Sequence, residues 1–78
     1  MTSDQKVAKI VKSYSDFLIN IYEEVARSKK MIDLNKKKLP YSKKEIRNAL
    51  KIVMAKTDDQ ELFMQLDNNL QILDKFKD

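Results

Sequence analysis

The residues best placed to do chemistry in this chain are cations. Lys36, Lys37 and Lys38 come just ahead of Lys43 and Lys44, and Arg47 and Lys51 continue the run. If the second cluster opens a helix, Arg47 and Lys51 extend it by one and two turns on one face. Such a stripe suits phosphate oxygens, and the helix N-terminus behind it would add free N–H groups and a favourable dipole. Between Lys29 and Lys51 nine basic residues stand against Asp33 and Glu45, a local charge of +7. Residues 57–78 reverse the sign: Asp58, Asp59, Glu61, Asp67, Asp74 and Asp78 against Lys75 and Lys77 give −4. The division suits either a polyanionic partner for the middle or electrostatic pairing of the two segments within a dimer. A solvated lysine-rich loop is the plainer reading of the seven cations and weighs more, because net charge alone selects no ligand.

Other chemistries lack their parts. The 78 residues contain no Gly, Cys, His or Trp and one Pro. The Ser, Thr and Tyr hydroxyls therefore have no imidazole or thiolate partner and no glycine-rich elbow, so nucleophilic catalysis has no visible base. Asp58, Asp59 and Glu61 lack the alternating oxygen ligands and glycine turn of a calcium loop and read as first-turn carboxylates of a helix. Those same acids would repel phosphates if that helix entered a DNA groove, which argues against a helix-turn-helix reader. The expectation is a protein that is not an enzyme, with no cofactor, no metal and no small-molecule substrate. Absence of Cys, and charges at Lys6, Lys9, Lys12 and Asp16 where a signal peptide needs an apolar run, predict a cytoplasmic protein. No apolar run approaches the roughly 20 residues of a membrane span.

These side chains need elements to hold them, and the apolar residues supply the pattern. Val7, Val11, Tyr14, Leu18, Ile21 and Val25 alternate four and three apart, with Ile10 and Phe17 widening the face, which predicts a first helix over about 4–30. Thr2 and Gln5 form a loose capping box at its start, and Lys12 with Asp16 and Glu23 with Arg27 stand at pairing distance on its polar side. The period is lost over 31–41, where Pro40 biases Leu39 toward extended backbone. Ser42 with Glu45 is a capping box and Tyr41 with Ile46 a hydrophobic staple, so a second helix runs over about 42–56 with Ile46, Ala49, Leu50 and Val53 inward. The phase breaks at Thr57. Asp58 with Glu61 offers a new cap, and Leu62, Phe63, Leu66, Leu70, Leu73 and Phe76 predict a third helix over about 59–75. The aromatics Tyr14, Phe17, Phe63 and Phe76 all fall on apolar faces and read as core.

The fold class expected is all-α: one domain over 1–78, with a long first helix and the second and third as a broken second arm. At 1.5 Å per residue the first helix is about 40 Å long, against roughly 30 Å for a compact globule of this size. That leaves apolar surface without cover. The surplus predicts a helical-bundle homodimer in which Val7, Val11, Tyr14, Leu18, Ile21 and Val25 form the interface. The function expected is a non-enzymatic, self-associating protein–protein interaction module in an adaptor or regulatory role, with an unidentified protein partner. The alternative is a nucleic-acid-associated regulator that grips the phosphate backbone through the basic 29–51 region.

Overall fold

The computed structural model describes residues 3–77, which are 76% helical and contain no strand. Helix α1 spans Ser3–Ser28, a single 3-10 turn follows at Leu34–Lys36, and α2 (Lys43–Lys56) and α3 (Gln60–Leu73) complete the chain. Thr2, expected to cap α1, lies outside the described residues. The helix stops two residues short of the expected Lys30 because Lys29 turns into the left-handed region, at φ 55°. Its N–H still closes on the Val25 carbonyl at 2.8 Å. Glycine usually fills this position, and in a chain without glycine a lysine bears the cost of its Cβ there.

Helix α2 begins as its cap dictates: the Ser42 hydroxyl accepts the Glu45 N–H at 3.2 Å. Ile46 is buried, and half-buried Tyr41 packs on the same core, as a staple requires. The cap of α3 is Asp59, not Asp58. Its carboxylate accepts the N–H groups of Glu61 and Leu62 at 3.0 and 3.2 Å, while the Thr57 hydroxyl takes the Asp59 N–H at 3.2 Å. Two neighbouring aspartates satisfy the cap pattern, and the Thr57 turn selects the second. Beyond Leu73 the chain continues in a turn, and Phe76 is buried there.

Helix α2 packs against both α1 and α3, whose own backbones approach each other less closely. Lys56 at the end of α2 is bonded to Asp4 at the start of α1, and Arg47 near the start of α2 to Asp74 at the end of α3. The three helices therefore run up, down and up, with α2 and α3 side by side. The buried core draws Ile10, Tyr14, Leu18 and Ile21 from α1, Ile46, Ala49 and Leu50 from α2, and Leu66, Leu73 and Phe76 from α3 and its extension. Helix α1 outreaches α2, and the connection covers its far end: Ile32, Leu34, Leu39 and Tyr41 pack on the core although they follow no helical period. The body measures 37 × 25 × 19 Å, its long axis set by the length of α1. None of the three ion pairs among the described residues is Lys12–Asp16 or Glu23–Arg27; all join separate elements. An exposed pair within one helix gains too little to hold two long side chains still.

Candidate functional site

The seven predicted polyanion-binding cations divide into two groups. Lys37 donates to Glu24 of α1 at 2.8 Å, tying the connection to that helix. Arg47 donates to the Asp74 carboxylate at 3.1 Å, and Lys43 to the Asp74 carbonyl at 3.5 Å. The last turn of α3 holds no cation of its own, so these two from α2 offset the negative end of the α3 dipole and the Asp74 charge. One acid of the tail, Asp74, thus meets the basic middle within the chain. Lys36, Lys38, Lys44 and Lys51 make no ion pair among the described residues.

The connection and the end of the chain enclose an open cleft of about 550 Å³, lined by residues 35–42 and Lys77. Four lysines, Lys36, Lys37, Lys38 and Lys77, line it together with the apolar Leu39, Pro40 and Tyr41 and the polar Asn35 and Ser42. By charge count Lys77 belongs to the acidic tail, yet it lines the basic cleft, one residue after buried Phe76. That the apolar row of the third helix ends at Phe76 is the one sequence signal that could have placed it. Lys44 and Lys51 lie outside the cleft on α2.

Of the six residues expected at a dimer interface, Tyr14, Leu18 and Ile21 are buried in the chain's own core, and Val7, Val11 and Val25 are half-buried against it. The Tyr14 hydroxyl donates to the Asn69 carbonyl of α3 at 2.8 Å. Burial pushes this phenol's pKa up, with the nearby Tyr22 and Asp74 adding to the rise.

Uncovered apolar surface is spread over several elements: Ile19 and Tyr22 on α1, Met31 in the connection, Ile52 on α2, and the start of α3. Leu62, Phe63 and Met64, in the first turns of α3, are 38%, 43% and 59% exposed. Phe63 is therefore not a core residue, against the expectation from its period. Lys56 is already level with Asp4, so α3 opens beside the first turn of α1, and little of α1 lies beyond to cover it. Consecutive residues on a helix point about 100° apart, so the three spread over more than one face. Asp58, Asp59, Glu61 and Asp67 border this patch and make no ion pair among the described residues. No group of three His, Cys, Asp or Glu among the described residues could hold a metal, and none of their helices is long and apolar enough to cross a membrane.

Fold and surface together define an all-α three-helix protein with a basic cleft toward one end of α1 and an acid-bordered apolar patch toward the other. No family model, curated protein or solved structure matches the chain.

Proposed function

We propose that the chain is a non-enzymatic protein–protein interaction module, in an adaptor or regulatory role, that docks its partner on the first turns of α3. The observation that carries this reading is the run of three consecutive exposed apolar side chains, Leu62, Phe63 and Met64; Ile19, Tyr22, Met31 and Ile52 are exposed as well, but no three of them are consecutive in the chain. Exposed apolar side chains flanked by carboxylates are the material of a binding site, and a partner that wraps the helix end would meet all three; aromatic and Met side chains supply much of the affinity at such sites. The bordering carboxylates favour a partner that brings cations. Self-association is the weaker form of this reading. A two-fold pairing of α3 faces would set like carboxylates against each other, and the predicted α1 seam has only its half-buried valines left, although α1 also exposes Ile19 and Tyr22.

A photoreactive phenylalanine analogue at position 63, compared with one at exposed Lys12, tests the proposal in cells. The expected result is a discrete adduct at 63 that is missing at 12 and is lost when Glu61 and Asp67 are changed to Lys. An adduct of twice the chain mass would replace the separate partner with a second copy. The same adducts from both positions, or none from 63, would contradict the docking face.

A further inference from the structure

The cleft at the other end of the molecule has a different chemistry, independent of the α3 patch. Of its four lysines only Lys37 is committed, to Glu24 at 2.8 Å; Lys36, Lys38 and Lys77 make no ion pair among the described residues. Three like charges gathered on one concavity repel each other and concentrate field lines there, an arrangement relieved by a multiply charged anion. Leu39, Pro40 and Tyr41 also line the cleft; Leu39 and Tyr41 are partly buried against the core, and the apolar surface they leave open is one that inorganic phosphate would not use and that a sugar or base would cover. A volume of about 550 Å³ admits a nucleotide unit, and its open mouth lets a flexible chain enter and leave. A duplex, a stiff cylinder with its phosphates on the outside, would meet only the rim.

We infer that this cleft binds the backbone of a single-stranded nucleic acid, with Lys36, Lys38 and Lys77 as its phosphate contacts and the Leu39–Tyr41 segment against the sugar and base. Binding is sequence-independent, since the assigned contacts are to phosphate, sugar and the flat face of a base and to no base edge. Lys77 separates this site from a general basic stripe: a stripe along the connection and α2 would use Lys51 and omit Lys77, whereas the cleft uses Lys77 and omits Lys51.

Fluorescence anisotropy with a labelled oligo(dT) of about twelve nucleotides, at about 50 and about 150 mM salt, reads the difference. Each phosphate contact on a single strand contributes about 0.7 to the log–log salt slope, so losing one weakens binding roughly 8-fold at the lower salt and roughly 4-fold at the higher. Lys36→Gln, Lys38→Gln and Lys77→Gln should each show that loss and a shallower slope. Lys51→Gln and Lys12→Gln should bind as the parent does, and circular dichroism should be unchanged throughout. Absence of binding at the lower salt, equal losses from Lys51→Gln and Lys77→Gln, or equal affinity for a duplex of the same length would each overturn the inference. Loss of the position-63 adduct with oligonucleotide binding intact would leave this site standing and remove the α3 docking face.

Discussion

Tyr14 joins burial to a polar bond at the centre of the bundle, its ring in the core and its hydroxyl on the Asn69 carbonyl. Replacing it with Phe keeps the packing and should cost about 1 kcal/mol at neutral pH, the usual net worth of one such bond. The pH dependence carries a sharper signature. The folded-state pKa is raised above the ordinary value of 10.0, so the unfolded state releases this proton first. The stability Tyr14 contributes is complete below pH 10 and falls above it by up to about 1.4 kcal/mol per pH unit. Urea unfolding of parent and Tyr14→Phe between neutral pH and pH 11 should show the parent's advantage shrinking above pH 10; a constant difference would mean that the phenol is solvated. Lys29 gives the opposite case, a residue whose replacement should help. It holds a left-handed conformation that costs a side-chain-bearing residue about 1–2 kcal/mol, so Lys29→Gly should gain about 0.5 kcal/mol after glycine's larger loss of chain entropy. A lower thermal midpoint would show that the Lys29 side chain makes up the strain elsewhere.

Helices α2 and α3 each start on a side-chain cap. Ser42→Ala should cost about 1 kcal/mol through loss of the α2 cap, and Tyr41→Ala should add less than its own separate cost, since both fix the same approach of the chain to the helix. At α3, Asp59→Ala should cost about 1 kcal/mol and Asp58→Ala only a few tenths, a contrast that denaturation of the two variants checks directly. The sequence displays α2 in full because cap, staple and period agree there. It displays α3 less well, since adjacent aspartates offer the same oxygen one residue apart and only the Thr57 turn separates them. The cover supplied by Ile32, Leu34 and Leu39 has no period and leaves no trace in the pattern. Phe63 shows a different limit: period says which way a side chain points, not how far the neighbouring helix extends to cover it. Most of the candidate cleft is the continuous segment 35–42, whose Lys36 to Lys38 stand in the sequence as a charge run; Lys77, which joins it from far along the chain, is placed there by the fold.

The whole molecule is drawn out by its longest helix. Its radius of gyration is 13.0 Å, where a compact chain of this length has about 11.5 Å. Its accessible surface is 5933 Å², against about 4,900 Å² for a compact monomer of the same mass. The length of α1 is thus met by stretching one chain along it, and the surplus surface gathers in part on the first turns of α3. The central claim is that those turns serve a partner and not the core, and Phe63→Glu compared with Leu66→Ala tests it most directly. Both variants are taken through urea unfolding, and the native size of the complex each forms in cells is measured. Phe63→Glu should shift the unfolding free energy by no more than about 1 kcal/mol and abolish the complex, whereas Leu66→Ala should cost about 2–4 kcal/mol through the cavity it leaves. A Phe63→Glu protein as destabilised as Leu66→Ala, or one that keeps its complex unchanged, would contradict the account.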